Sequence, residues 1–225
     1  MAKRPVAGLL RVLLALVALA GLLHLVGCDA EPGGAIAPSV EGASPNAPAP
    51  EAASPGSSGG AQAPQAEASA SAETYYANAL AYHEQGDLDR AIAEYGRAIE
   101  LAPDYLDAYY NRGLAYYDKG DLDRAIADFD RVIALEPTDS DAYYSRGLTY
   151  HEKKDLDRAI ADYGQAIELA PDVADAYYNR GVAYHDKGDL DRAIADYDRA
   201  IQLQPNDAEA YYNRGMGHAE KGALD

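Results

Sequence analysis

Cysteine, basic side chains and catalytic motifs are all scarce in this chain. Its 225 residues include one cysteine, which therefore has no partner for an intrachain disulfide. Only 19 residues are Lys or Arg against 37 Asp or Glu, and the net charge of −18 argues against nucleic acid as a partner. No Gly-rich phosphate loop, GxSxG elbow or HExxH pair occurs, so we predict no catalytic residue and no cofactor.

Hydrophobic runs long enough to span a membrane are also missing. The apolar run at residues 12–26 follows Lys3, Arg4 and Arg11, and as a helix it would reach about 22 Å, short of the ~30 Å hydrocarbon core. The run ends in LVGC at residues 25–28, which resembles the bacterial lipoprotein box. We therefore predict a lipoprotein signal peptide at residues 1–27 and lipid attachment at Cys28.

Lipidation of Cys28 would hold the chain at a membrane of the cell envelope. Each buried methylene contributes about 0.8 kcal/mol, so a diacylglyceryl anchor binds firmly. The resemblance implies an extracytoplasmic domain on the periplasmic face of the inner or outer membrane, and Asp29 favours the inner membrane in enteric lipoproteins. An ordinary signal peptide with an unmodified cysteine, and an uncleaved anchor, are the alternatives.

Aromatic residues, lysine and arginine are absent from residues 29–71, which are rich in Ala, Pro, Gly and Ser. Such a segment cannot bury enough apolar surface to offset the entropy lost on ordering. We therefore interpret residues 28–71 as the lipidated cysteine followed by a disordered tether.

A 34-residue repeat fills the remaining two-thirds of the chain. Equivalent residues recur at this interval, among them Pro103, Pro137, Pro171 and Pro205, and Gly113, Gly147, Gly181 and Gly215. Full copies start at Ala72, Leu106, Ser140 and Ala174, and a partial fifth starts at Ala208. Its sequence up to Asp225 is either a degenerate helix that closes the stack or an interrupted copy, and we favour the second. A fixed period of this length predicts stacked units that cannot bury their apolar faces alone.

Each unit is predicted to be a pair of short helices. In the second copy apolar residues recur at helical spacing over residues 106–119 and again over residues 122–135. Gly120 is suited to a left-handed stop and Asp121 to an N-cap, while Lys154 replaces that glycine in the third copy. Arg124 and Asp128, and likewise Arg158 and Asp162, are spaced as i,i+4 ion pairs on an exposed helix face.

The order of aromatic, small residue, Tyr, Gly-Asp, Ala, aromatic and Pro resembles the tetratricopeptide repeat family over residues 72–225. The resemblance implies an all-α fold, an α-α superhelix (TPR solenoid) of four full repeats plus a partial fifth. It also implies that the first helix of each repeat lines a concave groove that holds a peptide or another protein.

The first helices indicate which residues would line that groove. The candidates are Tyr110, Asn111, Tyr117, Tyr144, His151, Tyr178, Asn179 and His185. Tyrosine faces bordered by carboxylates are suited to an extended segment carrying Lys or Arg, with Asn111 and Asn179 bonding its backbone, but packing between repeats explains the same residues. We predict neither a carboxylate clamp nor a metal site.

Two functions follow from these features. The favoured one is a membrane-anchored, extracytoplasmic scaffold or adaptor that mediates protein–protein interaction, for example in assembly of envelope complexes. The alternative is a passive architectural module that self-associates through its last helix without a dedicated peptide ligand.

Overall fold

The computed structural model describes residues 71–224, and these residues form helices without a β-strand. The predicted signal peptide, Cys28 and the tether up to residue 70 lie outside the described residues. Within 71–224 there are nine α-helices: α1 Ala72–Glu84, α2 Leu88–Leu101, α3 Leu106–Asp118, α4 Leu122–Leu135, α5 Ser140–Glu152, α6 Leu156–Leu169, α7 Ala174–Asp186, α8 Leu190–Leu203 and α9 Ala208–Leu224. None of these helices has both the length and the hydropathy needed to cross a bilayer.

The helices form antiparallel hairpins that stack in chain order. The pairs α1/α2, α3/α4, α5/α6 and α7/α8 each pack along their length, and α9 packs against α8. Each hairpin also contacts the first helix of the next one. The predicted all-α superhelix of repeats is confirmed, and each repeat begins a new helix at the residue that the sequence period indicates.

The turn within each hairpin is set by a left-handed residue and an aspartate cap. Gly120 has φ +78°, and the carboxylate of Asp121 accepts a hydrogen bond from the Arg124 amide at 3.3 Å. In the third repeat Lys154 occupies the same position with φ 62°, a conformation that costs a residue with a Cβ about 1 kcal/mol. The helix breaks read from the sequence are therefore confirmed.

The turn between hairpins is set by proline. The residue before each repeat's proline leaves the helical region, as at Glu136 with φ −136° and ψ 88°, because a proline ring clashes with a preceding helical residue. The chain then enters the next first helix within a few residues. In two of these turns a polar side chain caps that helix: Asp139 accepts from the Ala142 amide at 3.0 Å, and Asp207 accepts from the Ala210 amide at 3.2 Å.

The core of each hairpin contains a ring from its second helix, and in three hairpins this ring lies against a glycine. Tyr95, Phe129, Tyr163 and Tyr197 on the second helices are at most 1% exposed. A Cβ built on Gly113 would lie 2.8 Å from the Phe129 ring, so a larger residue there would require the ring or the helix to shift. The same contact recurs at Gly147 and Gly181, which explains why glycine appears inside three helices despite its poor helix propensity.

Charged pairs join the two helices of a hairpin, and they correct the predicted i,i+4 pairs. Asp128 is 5% exposed and accepts two hydrogen bonds from Arg112, at 2.7 and 2.8 Å, across the hairpin. Arg124 instead pairs with Asp121 and lies over the Tyr116 ring. Asp128 faces the first helix rather than solvent. Because a buried charge is costly, its carboxylate is stable there only beside the guanidinium group of Arg112. Burial raises the pKa of Asp128, and Arg112 opposes that shift.

The same pairing recurs along the array and extends between repeats. Arg146 binds Asp162 at 2.7 Å, and it also reaches Asp130 of the preceding repeat at 2.5 Å. A second row joins the loops: the lysines that follow α3, α5 and α7 each bond an aspartate of the preceding repeat, as Lys153 does to Asp123 at 2.6 Å. Most basic residues of the repeats are thus engaged in holding the array together.

Candidate functional site

The first helices of the hairpins define one face of the array. Consecutive first helices, α1 to α3, α3 to α5, α5 to α7 and α7 to α9, contact one another, whereas no pairing of comparable extent joins consecutive second helices within residues 71–224. The first helices therefore lie on the inner side of the stack. We call their shared surface the inner face.

A row of tyrosines crosses the inner face, one for each repeat: Tyr76, Tyr110, Tyr144, Tyr178 and Tyr212. Three of them accept a hydrogen bond from an asparagine 35 residues later, in the next repeat. The Nδ2 atoms of Asn111, Asn179 and Asn213 lie 3.0, 2.9 and 2.8 Å from the hydroxyls of Tyr76, Tyr144 and Tyr178. These bonds fix the ring of one repeat against the helix of the next.

The asparagine amides are fully engaged as donors. Besides its tyrosine bond, Asn111 Nδ2 donates to the Asp107 carbonyl at 2.8 Å, and Asn179 Nδ2 donates to the Asp175 carbonyl at 2.9 Å. Both amide hydrogens of each side chain are thereby used within the array. The amide hydrogens of Asn111 and Asn179 therefore serve the joint between repeats rather than a ligand backbone.

Tyr110 departs from the other members of the row. It is 1% exposed, and its hydroxyl lies 3.1 Å from Ser145 Oγ. Its partner is a serine where other repeats have an asparagine, and its ring packs at 5.8 Å from the Phe129 ring centroid, as the Tyr76 ring does from that of Tyr95. Tyr110 thus belongs to the packing between repeats. The prediction that it is an accessible groove residue is wrong.

The other two predicted tyrosines of this row are half-buried. Tyr144 and Tyr178 pack at 5.9 and 6.0 Å from the ring centroids of Tyr163 and Tyr197 beneath them. Burial raises the pKa of Tyr178 to about 12, helped by the nearby carboxylates of Glu209 and Asp207. One part of each ring is thus packed against the ring beneath it, and another part is accessible to solvent.

The second predicted row couples histidines to carboxylates of the following repeat. The Nε2 atoms of His83, His151 and His185 lie 3.1, 2.9 and 3.2 Å from Asp118, Asp186 and Glu220. Tyr117 takes this place in the second repeat, where burial raises the pKa of its hydroxyl. His151 and His185 therefore each face a carboxylate, and within residues 71–224 no group of three His, Cys, Asp or Glu side chains is placed to hold a metal ion.

Acidic residues dominate the charge of the inner face. Each first helix carries one in its first turn and one near its end: Glu73, Glu84, Asp107, Asp118, Asp141, Glu152, Asp175, Asp186, Glu209 and Glu220. The guanidinium groups of Arg112, Arg146 and Arg180 point instead into the hairpins, toward Asp128, Asp162 and Asp196. The inner face therefore combines half-buried tyrosine rings with a surplus of negative charge.

Sequence reasoning missed two members of these rows. Tyr76 and Asn213 belong to the first and fifth repeats, yet they bond along the inner face like their equivalents in the middle. The 34-residue period would have found them, because Tyr76 is equivalent to Tyr144 and Asn213 is equivalent to Asn179.

A stack of helical hairpins with an acidic, tyrosine-lined inner face defines a repeat scaffold, and comparison with known families identifies which one. A model described as TPR repeat matches residues 79–120 and 149–188, and two described as Tetratricopeptide repeat match residues 110–168 and 174–207. The chain belongs to the tetratricopeptide repeat family. Comparison with curated protein sequences gave no match.

Solved structures share the fold over the repeats. A crystal structure of MamA is 30% identical, with a TM-score of 0.62 over 64% of this chain and 84% of that one. YrrB, a TPR protein with an unusual peptide-binding site, is 26% identical, with a TM-score of 0.59 over 67% of this chain and 78% of that one. The first TPR of Spaghetti (RPAP3), bound to the HSP90 peptide SRMEEVD, is 25% identical, with a TM-score of 0.51 over 52% of this chain and 93% of that one. The fold and these neighbours support a scaffold for protein–protein interaction.

Proposed function

We propose that this chain is a lipid-anchored scaffold of the cell envelope that holds an extended, basic segment of a partner protein against its inner face. The observation that carries the proposal is the composition of that face. Its first helices carry ten carboxylates, of which Asp175 is buried and three pair with histidines, while the guanidinium groups beside them are directed into the hairpins. A partner segment with Lys or Arg supplies the complementary charge.

The tyrosines add a second reason for a basic partner. An aromatic face attracts an ammonium or guanidinium group, with about 0.5–2 kcal/mol at each site. The array already uses this contact internally, since Arg158 lies 4.3 Å from the centroid of the Tyr150 ring. Tyr144 and Tyr178 are half-buried rather than covered, so a ligand cation can reach their rings.

The same surface disfavours an acidic ligand. The peptide SRMEEVD bound by the Spaghetti (RPAP3) repeat carries three carboxylate side chains. Against the inner face of this chain such a peptide would meet carboxylates such as Glu84 and Glu152, without a lysine or arginine at the equivalent positions of any first helix. Like charges in contact lower affinity, so we expect this chain to prefer a basic ligand, whereas the Spaghetti (RPAP3) repeat binds an acidic one.

The binding proposal is tested with a defined probe. A fluorescent peptide with lysine at alternate positions should bind the full chain, and its affinity should fall steeply as salt rises from about 50 to about 500 mM. The paired change Glu84→Gln and Glu152→Gln should weaken binding about three- to tenfold, because it removes two inner-face charges.

A matched control separates local charge from net charge. Glu100 and Glu168 are exposed on second helices of the same two repeats, so Glu100→Gln with Glu168→Gln changes the net charge equally. We expect this control to bind like the parent chain. Equal weakening by both pairs, or binding of a glutamate peptide as tight as the lysine peptide, would refute a basic-segment groove.

The anchoring part of the proposal has its own test. Mass spectrometry of the mature envelope protein should find an N-terminal Cys28 carrying a diacylglyceryl group. Cys28→Ser should release the chain from the membrane fraction, since the acyl chains provide the anchor. An unmodified Cys28 in the membrane-bound mature protein would contradict this part and leave the binding proposal in place.

Self-association is the second candidate function, and one observation favours it. Tyr211 and Tyr212 on α9 are 45% and 69% exposed, unlike their half-buried or buried equivalents in the earlier repeats. If this face joins two copies, light scattering should show an oligomer that grows with concentration and is lost in Tyr211→Ser with Tyr212→Ser. A monomer at all concentrations would exclude this candidate.

A further inference from the structure

Three histidines of the inner face lie against carboxylates of the following repeat. The Nε2 atoms of His83, His151 and His185 are each within 3.2 Å of a carboxylate oxygen. Histidine is the side chain whose charge ordinarily changes between about pH 5 and 8. Resting on the function proposed above, we propose that protonation of these three histidines releases a basic segment from the inner face as the pH falls.

While the histidines are neutral, the carboxylates beside them remain available to a ligand. A neutral imidazole donates one hydrogen bond and leaves the charge of its acceptor intact, and an ionised carboxylate accepts at two oxygens. Each histidine lies against one oxygen of its partner. The side chains of Asp118, Asp186 and Glu220 are 27%, 39% and 48% exposed, so a Lys or Arg of the ligand reaches the second oxygen.

Protonation places a positive charge directly beside each of these carboxylates. An imidazolium at this distance forms an ion pair, and the pair presents no net charge to a basic ligand. The side chains of the three histidines are only 18% to 22% exposed, so they stay close to their partners. A lysine of the ligand would then have to compete with a histidine that the fold already holds in place.

The pair at the end of the array adds an independent observation. The Nε2 atom of His185 is buried and has no hydrogen bond among the described residues, although a carboxylate oxygen of Glu220 lies 3.2 Å away. A buried polar atom without a partner is costly, and a positive charge on this ring would be attracted to the glutamate. This joint therefore favours the charged histidine once the pH allows it.

The basic groups near these pairs are engaged elsewhere. A lysine follows each of the three carboxylates in the chain and bonds an aspartate of the preceding repeat, in the pairs Lys119–Asp89, Lys187–Asp157 and Lys221–Asp191. The residue after each histidine is itself acidic: Glu84, Glu152 and Asp186. A charge on the histidines thus appears among carboxylates, where its effect on a basic ligand is greatest.

The second helices place neutral groups beneath the histidines. The Tyr95 ring centroid lies 6.4 Å from that of His83, and Tyr163 and Tyr197 occupy the equivalent position in the hairpins of His151 and His185. Burial raises the pKa of all three tyrosines, so they carry no charge between about pH 5 and 8. The histidines are therefore the members of these joints that change charge in this range.

The second repeat supplies a matched replacement for the test. Tyr117 occupies the position of the histidines there and has Glu152 as an electrostatic neighbour, and burial raises the pKa of its hydroxyl. A tyrosine at this position is thus compatible with the fold and stays neutral where histidine titrates. Replacing the three histidines by tyrosine keeps a ring at each joint and removes the change of charge.

The experiment measures the affinity of the full chain for the fluorescent lysine peptide at about pH 8 and about pH 5.5, at constant ionic strength. We expect about tenfold weaker binding at the lower pH, because three partly exposed charges change, each worth about two- to threefold. In the variant His83→Tyr with His151→Tyr and His185→Tyr, the two affinities should agree within about twofold. His218→Gln removes an exposed histidine of α9 and should keep the tenfold dependence of the parent chain.

A measurement on the parent chain keeps the test independent of how the triple variant folds. In nuclear magnetic resonance spectra the imidazole signals of His83, His151 and His185 should change over the same pH range as the affinity. Imidazoles that stay neutral down to about pH 5.5 would overturn the inference.

The binding results separate this inference from the function on which it rests. Equal affinities of the parent chain at the two pH values, or a tenfold dependence that persists in the folded triple variant, would overturn the regulation and leave a basic-segment groove standing. No binding of the lysine peptide at either pH would overturn both. A dependence that is lost in the triple variant and kept in His218→Gln would support the inference.

Discussion

Replacing Gly147 by alanine tests whether the close approach within each hairpin holds the array together. The added Cβ would lie 2.9 Å from two carbons of the Tyr163 ring and 3.4 Å from the Ala159 carbonyl oxygen. The ring has little room to move, because Tyr163 is 0% exposed and packs against Tyr144. Either the ring or the helix must shift to accept the methyl group.

Two opposing effects set the magnitude. Overpacking a tight core costs about 1–3 kcal/mol. Alanine gains about 1 kcal/mol over glycine in a helix interior. We therefore expect Gly147→Ala to lower the free energy of unfolding by about 1 kcal/mol. Circular dichroism at increasing urea should show a lower midpoint, and the melting temperature should fall by a few degrees.

Gly215 provides the matched control. It occupies the same repeat position in α9, but a Cβ there would have no neighbour within 4 Å. Gly215→Ala should therefore raise stability by up to about 1 kcal/mol through helix propensity alone. If Gly147→Ala raises the midpoint as much as Gly215→Ala does, the ring contact is not what requires glycine, and the reasoning fails.

Three further predictions use the same unfolding measurements. Tyr163→Phe should raise stability by about 1 kcal/mol, because it removes a buried hydroxyl without a partner and reproduces Phe129 of the second repeat; a loss of that size would contradict it. Lys154→Gly should stabilise the chain by about 1 kcal/mol, because φ is 62° there, and an unchanged midpoint would count against strain at that turn. Burial raises the pKa of Tyr163, and it raises that of Tyr178 to about 12. The folded state therefore keeps its full stability below about pH 10, which is the pKa of tyrosine in the unfolded chain, and loses it as the pH rises toward about 12. Helicity that stays unchanged over this range would refute the prediction.

The helices and their turns could be predicted from sequence because their causes are local. Asp121 caps α4 through an amide three residues away, and proline ends the preceding helix through a clash with its immediate neighbour. Lys154 stands where other repeats have glycine, and its positive φ confirms the left-handed turn predicted at this position. Such effects act within a few residues, so one copy of the motif is enough to show them.

The inner face was only partly predictable. The period predicts Tyr144, His151, Tyr178 and His185 on one surface. In the structure the two histidines lie beside carboxylates of the next repeat, and the two tyrosines pack on the rings of Tyr163 and Tyr197. It could not show that Tyr110 is buried, because that depends on contacts with the next repeat, such as the one between its hydroxyl and Ser145.

The sequence by itself determined the unit, its length and its boundaries, since a 34-residue pattern of small, aromatic and turn residues specifies one hairpin wherever it occurs. Only the tertiary structure decided which charges pair and which face outward. The Arg112–Asp128 bond spans 16 residues, and the Asn179–Tyr144 bond spans 35. Both depend on how one helix is rotated against another, which arises from packing across the whole stack rather than from neighbours in the chain.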